Sequence, residues 1–398
     1  MDRFAMGLTV AVVVLALIDR DLDLFQISLL FGVYSVTTMA MELPFGGLTD
    51  TIGRKPVFLV AVLASMISLV VFLFSQNFYV LSISFAFIGF GRALRSGMLD
   101  VWFVENFKVM APNVDIQPAL AKAQWANAMG LALGAICGGH LPDAFGDVAL
   151  RFGFSAYDIS YAASLVMMVF LFCVTIFLIK EEPRPLTPKA LWGGVKNVPS
   201  IIKGASILAV TQPTLLLLLI AVALTLMATN PVEVFWPTQV KNMLNAGHAN
   251  TTIGILTAVY FTAIALGAAL SPRVNRMFGR QNAVTLSAAL ACLLALQIIL
   301  ACQSNSTGFV LVFTLFSLVL GVMETPASSL LHSCVEIHQR STLLSLRSLV
   351  QQLGAAFGLM VVGVFAQSYT VSIAWIVAAA FLGLAVILIW PLTKTTRL

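Results

Sequence analysis

The chain has 398 residues, of which 60% are hydrophobic and only 10% charged, with 28 phenylalanines among them. A soluble domain carries roughly 25% charged residues, so this composition excludes a water-soluble enzyme or binding module and points to an integral membrane protein. The net charge of +5 is dispersed over several segments rather than gathered into one basic stripe, which argues against a nucleic-acid partner.

A bilayer core of roughly 30 Å needs about 20 apolar residues per helix, and apolar runs separated by short polar breaks predict twelve spans. The first half holds 4–18, 25–45, 56–75, 79–103, 119–140 and 157–179; the second holds 213–236, 252–271, 282–302, 308–331, 343–366 and 371–391. The runs are continuous rather than alternating, so helices are expected and not the strands of a barrel. Residues 4–18 would cover only about 22 Å, so that helix is expected either to run on through Asp19 or to follow further upstream residues. No small-residue cleavage site precedes the polar DRDLD loop, so the segment is not read as a signal peptide.

Orientation follows from the basic residues. Of the 22 lysines and arginines, all but Arg20, Arg151, Lys241 and the in-span Arg92 and Arg95 fall on alternate segments that include both termini. The excess of positive charge on one side predicts cytoplasmic N and C termini. The five cysteines and four histidines form no spacing that suggests a disulfide framework or a metal site, and no cofactor is expected.

The longest inner segment, Lys180 to Gly204, is rich in Pro and Lys and divides the spans into two sets of six. The predicted organisation is an N-terminal six-helix bundle over 1–180, a cytoplasmic linker over 181–210 and a C-terminal six-helix bundle over 211–398. A repeat of halves also shows in the loops, where Asp50-Thr51-Ile52-Gly53-Arg54 after span two recurs as Arg276-Met277-Phe278-Gly279-Arg280 after span eight. The fold class is therefore an all-α polytopic membrane protein with twelve transmembrane helices in two pseudo-symmetric six-helix bundles, an arrangement used by secondary transporters.

The stretch GGLTDTIGRKP between spans two and three carries a more specific signal. Gly46, Leu48, Asp50, Gly53, Arg54 and Lys55 fit the pattern G-x-L-a-D-r-x-G-R-k, with Thr51 at the usual arginine. By spacing, residue type and location this resembles motif A of the major facilitator superfamily, and the topology extends the resemblance over essentially the whole chain. The resemblance implies a conformational latch at the inner surface in which Arg54, Asp100 and Arg347 are partners. The alternative reading of Arg54 and Lys55 is a simple anchor to anionic lipid.

In span five, Gly130, Gly134, Gly138 and Gly139 bare one helix face for close packing. They resemble the family's motif C, associated with proton-coupled exporters, although Ala135 stands where that motif has proline; a plain small-residue packing face is the other reading. Span four holds Arg92 and Arg95, three residues apart on one face. Arg92 followed by Gly97 resembles motif B with one extra residue. A charge at such depth costs about 3 kcal/mol or more, so it faces a cavity or a partner; the two readings are a proton-handling or cargo-contacting cation, and an internal ion pair with Asp100 or Glu105.

Proton coupling needs a carboxylate whose protonation responds to burial and to a passing charge. Two candidates lie deep in spans. Glu233 follows Asn230 and Pro231 and precedes Phe235 and Trp236, which could stack on a cation or a planar apolar cargo; it could also reach water at the outer interface. Glu324 precedes Pro326 in span ten, the repeat counterpart of span four.

The expected function is secondary active transport by alternating access, in the manner of the family's drug:proton antiporters: proton-coupled export of amphipathic small molecules. The alternative is a symporter or uniporter importing a small nutrient. A receptor that has kept a transporter fold would call for large soluble domains, and the longest non-spanning stretch is the linker. The sequence shows no nucleophile–base arrangement, H-E-x-x-H or Walker A loop, so an enzyme is not expected. The expected partners are a small-molecule substrate, protons and the lipid bilayer, with a monomeric state and a bacterial inner membrane as the location.

Overall fold

A computed structural model of the chain describes residues 1–45, 53–95, 103, 107, 110, 116–179, 181, 207, 211–244, 248–336 and 339–395. Every regular element among them is a helix. The first half contains α1 (Asp2–Val10), α2 (Val13–Ile18), α3 (Leu24–Phe45), α4 (Arg54–Leu73), α5 (Phe78–Arg95), α6 (Gln117–Arg151) and α7 (Asp158–Leu178). The second half contains α8 (Pro213–Lys241), α9 (Ala249–Met277), α10 (Asn282–Ala301), α11 (Ser306–Ser333), α12 (Arg340–Ser368), α13 (Val371–Ile389) and the short α14 (Leu392–Thr395). Ten of the described helices are long and apolar enough to cross a membrane. The other two spans depart from that rule for separate reasons.

The first span is interrupted at Ala11 and Val12, which leaves α1 and α2 each too short to cross alone. Together they start at Asp2, and α2 ends at Ile18 with the Asp19 amide still donating to the Leu15 carbonyl at 2.9 Å. The turn that follows contains Asp21, a non-glycine residue in the left-handed region at φ 59°. The fifth span was expected to end at 140, and α6 instead continues to Arg151 over 35 residues, about 52 Å. The apolar run stops at His140, but no strong breaker follows except Pro142. That proline has no N–H for the Gly138 carbonyl, and the Ser160 hydroxyl of α7 donates to the carbonyl in its place at 2.8 Å. The same substitution occurs at Pro326 in α11, where the Ser271 hydroxyl of α9 donates to the freed Val322 carbonyl at 2.8 Å.

The chain forms two units. The first comprises Met1–Val12 and Val33–Pro199, the second Val13–Gly32 and Ser200–Leu398. Val13–Gly32 thus packs with the C-terminal helices: α2 lies on α8, and the Leu24 amide donates to Gln367 Oε1 at 3.1 Å. The linker expected over 181–210 lies outside the described residues except for Glu181 and Ile207.

In the first unit, α6 packs on α1 and α7, and α4 packs on α5 and α7. A methyl group added to Gly134 or Gly138 would overlap the carbonyl oxygens of Phe4 and Leu8, and one added to Gly7 would sit 2.5 Å from the Leu131 carbonyl oxygen. Backbones this close are open only to glycine. Gly130 is looser, with Arg3 Cβ at 3.5 Å, and Gly139 is buried. A second crossing joins α5 to α3 at Gly89, whose added methyl would lie 2.6 Å from the Tyr34 carbonyl oxygen.

The second unit repeats both crossings. Helix α12 meets α8 at Gly354 and Gly358, which lie against the backbones of Ala223 and Met227; α11 meets α9 at Gly321 and Gly267, which lie against Ile264 and Leu318. The pairings one with five and two with four therefore recur as seven with eleven and eight with ten.

Alanine at Gly134 or Gly138 is expected to destabilise the first unit by about 1–3 kcal/mol through overpacking, seen as a lower Tm in detergent. Alanine at Gly383 in α13, where the nearest atom is 4.0 Å away, is expected to leave the Tm unchanged or raise it.

Candidate functional site

Of the motif A residues, Gly46, Leu48, Asp50 and the proposed partner Asp100 lie outside the described residues. Gly53 takes φ +96°, a conformation natural to glycine alone, and turns the chain into α4. The amides of Arg54 and Lys55, which have no partner within the helix's first turn, then donate to the two oxygens of Glu181, at 2.9 and 2.6 Å. In return Lys55 Nζ donates to the Ile176 carbonyl at 2.8 Å, in the last turn of α7. A carboxylate thus sits at one helix N-terminus and an ammonium at another's C-terminus, each matching the local dipole. Glu181 was not singled out from the sequence; the run Lys180-Glu181-Glu182 directly after a span is the signal that could have marked it.

The two arginines of α5 do different things. Arg92 is exposed; its Nη1 donates to the Tyr34 hydroxyl at 2.6 Å and its guanidinium lies 5.5 Å from that ring's centroid. Arg95 turns into the unit and forms an ion pair with Asp2 of α1, with further bonds to Ser65 Oγ at 2.7 Å and the Gly91 carbonyl at 3.2 Å. The expected partners Asp100 and Glu105 lie outside the described residues. Asp2 carried no sequence signal, because nothing in the spacing brings residue 2 to residue 95.

In the second unit Glu233 is exposed on α8. The Asn230 amide approaches it at 3.5 Å, the outer limit of a hydrogen bond, and Tyr260 of α9 lies beside it. Behind this pair stands an aromatic wall: Phe313 of α11 stacks on Tyr260 at 5.5 Å and meets Trp236 at 4.8 Å. Trp236 and Phe235 are both buried, so they back the carboxylate and do not offer a free face to a cargo. Pro231 and Pro237 interrupt the ladder of α8 around it, and neighbouring helices donate to other carbonyls of the same stretch: Trp375 Nε1 to that of Pro231 at 3.3 Å, and Gln297 Nε2 to that of Ala228 at 3.3 Å.

Tyr34 precedes Gly53 by the same interval as Tyr260 precedes Gly279. The repeated tyrosines stand beside opposite charges, Arg92 in one unit and Glu233 in the other. Both escaped the sequence reading, which compared only the loops.

Glu324 pairs with Arg347 of α12. The arginine's side chain is 12% exposed and the glutamate's 54%. Arg347 Nη1 also donates to Ser328 Oγ at 3.3 Å, while its buried Nε has no partner among the described residues. Glu324, Arg347, Gln351 and Thr225 line a crevice of about 30 Å³, room for a water or two. The structure therefore joins a residue of the expected latch to a candidate proton carrier. Glu324 stands three residues after the crossing glycine Gly321, as Arg92 stands three after Gly89.

Asp2→Asn is expected to strand the largely buried Arg95 and to cost about 3 kcal/mol, read as a loss of Tm in detergent. The double variant Asp2→Asn with Arg95→Met is expected to recover most of that loss, since no charge is then left unpaired.

Comparison with known proteins gives the context for this geometry. A family model described as Major Facilitator Superfamily matches residues 3–243 and again 218–397. No curated protein matches the chain. Among solved structures, the nucleoside transporter NupG is similar at 13% identity and a TM-score of 0.77, over 100% of this chain and 96% of its own. A bacterial homologue of the human lysosomal transporter Spinster, inward-facing and unoccupied, is similar at 14% identity and a TM-score of 0.75, over 99% and 94%. A POT family transporter in complex with 5-aminolevulinic acid is similar at 13% identity and a TM-score of 0.74, over 100% and 94%. At these identities the likeness is one of fold. With the family model covering nearly every residue, in two overlapping matches, the chain belongs to the Major Facilitator Superfamily: it is a multi-pass membrane transporter and not an enzyme.

Proposed function

We propose that the protein works by alternating access as a proton-coupled exporter of amphipathic small molecules, organic cations among them. The observation that carries this reading is the Glu233 cluster, in which an exposed carboxylate, a tyrosine hydroxyl and an amide stand before the wall of Tyr260, Phe313 and Trp236. An exposed carboxylate suits an ammonium or other organic cation by charge, and the same carboxylate can take up a proton when the cation leaves. Glu324, paired to Arg347, is the second proton carrier: its protonation would release the arginine. One net charge moved across 100 mV supplies about 2.3 kcal/mol, enough for roughly a fifty-fold gradient.

The rest of the reading follows the resemblance and the charge pattern. The motif A loop is a latch whose start, Gly53 to Lys55, is held by Glu181 and α7. The divide between the two bundles falls in the linker 181–210. The protein acts as a monomer in a bacterial inner membrane with both termini cytoplasmic. A second reading, import of a small anionic or zwitterionic nutrient, is favoured by the exposed Arg92 on Tyr34 and by Ala135 at the motif C proline. The structurally similar POT family transporter in complex with 5-aminolevulinic acid fits that class of cargo.

Proton release from energised inside-out vesicles, on adding lipophilic cations and neutral drugs, separates the two. Export predicts release in the wild type. Glu233→Gln should lower the response to cations about ten-fold or more, the loss of one charge-assisted contact, with neutral cargo less affected, and Glu324→Gln should uncouple both. Silence from every compound in well-folded protein, together with uptake of a labelled anionic metabolite that Arg92→Gln abolishes, would replace export by import.

A further inference from the structure

The second unit carries a groove of about 570 Å³ that the transport site does not use. It is lined by Val284, Ser287, Ala288 and Ala291 of α10, Val386 of α13, and Trp390, Thr393 and Lys394 at the chain's C-terminal end. Its volume lies within the range of small-molecule sites. Helices α10 and α13 pack on each other and α14 packs on α10, so the groove is a feature of the packed unit rather than of a single helix. Its lining changes character along its length. The α10 side is made of small residues, and Leu384 and Ile387 of α13 nearby are exposed, the latter by 67%. The other end carries an indole, a hydroxyl and an ammonium, with Trp390 57% exposed.

Charge selects the occupant. From Val234 to Met323 and from Glu336's successor to the chain end there is no aspartate or glutamate, while Arg273, Arg276 and Arg280 lead into α10 and Lys394 closes the groove. An apolar trough with a tryptophan and a lysine at its rim, on helices free of negative charge, matches one molecule with an acyl chain and a phosphate. We propose that this groove is a binding site for a single anionic phospholipid, its acyl chain along Ala288 and Ala291 and its phosphate on Lys394.

The test is titration of the purified full chain in detergent with phosphatidylglycerol or phosphatidylcholine of matched acyl chains, bound lipid being counted by native mass spectrometry. Phosphatidylglycerol should bind at least about five-fold more tightly, and Lys394→Gln should remove about that factor, the worth of one basic residue near a membrane surface. Ala291→Phe fills the trough from its exposed side and should weaken both lipids; Ala291→Leu serves as the smaller plug if the phenylalanine lowers the Tm. Equal binding of the two lipids, or binding that neither variant changes, overturns the proposal. So does a loss with Lys394→Gln that no plug reproduces, which would mean a charge contact outside the groove.

Discussion

Inside a bilayer no water is at hand for the backbone, so every amide and carbonyl must find its partner within the protein. This constraint accounts for the all-helical architecture and for its finer details. Where Pro142 and Pro326 open the ladder, Ser160 and Ser271 from neighbouring helices close it again. Where α4 begins, Glu181 takes the first free amides. Each repair also joins two helices, so the sites that weaken a single helix become the sites that fasten pairs of them.

Lipid is as apolar as the side chains that face it, so helices gain little by hiding apolar surface from one another and must pack closely instead. Glycine permits that approach, and the structure uses it twice in each unit. The crossings at Gly134 and Gly138 have their counterparts at Gly354 and Gly358, and that at Gly89 has its counterpart at Gly321. A duplicated scaffold thus presents polar groups at repeated positions. The groups themselves have diverged: Arg92 answers Glu324, and the tyrosines at equivalent places stand beside a guanidinium in one unit and a carboxylate in the other.

Spans and halves were legible because each is written in consecutive residues: apolar length and a change of composition. The end of span five was misplaced because hydropathy marks where side chains leave the apolar layer, whereas a helix ends where its hydrogen bonds do, at Arg151. Trp236 looked available to a cargo as part of an aromatic pair beside Glu233, yet Phe313, distant in sequence, covers it.

The sequence by itself determined that this is a helical membrane protein of twelve spans with a duplicated plan, since periodicity and hydropathy are local properties. It also marked Arg92, Arg95, Glu233 and Glu324 as in-span charges that need a reason, and Arg347 through the resemblance to the family's latch. Only the tertiary structure decided the reasons: Arg95 belongs to Asp2, Arg347 to Glu324, Glu233 to Tyr260, and the amides of α4 to Glu181. Partners of buried charges are chosen by which helices cross and at which glycine. That choice joins residues far apart in the chain, and no local pattern records it.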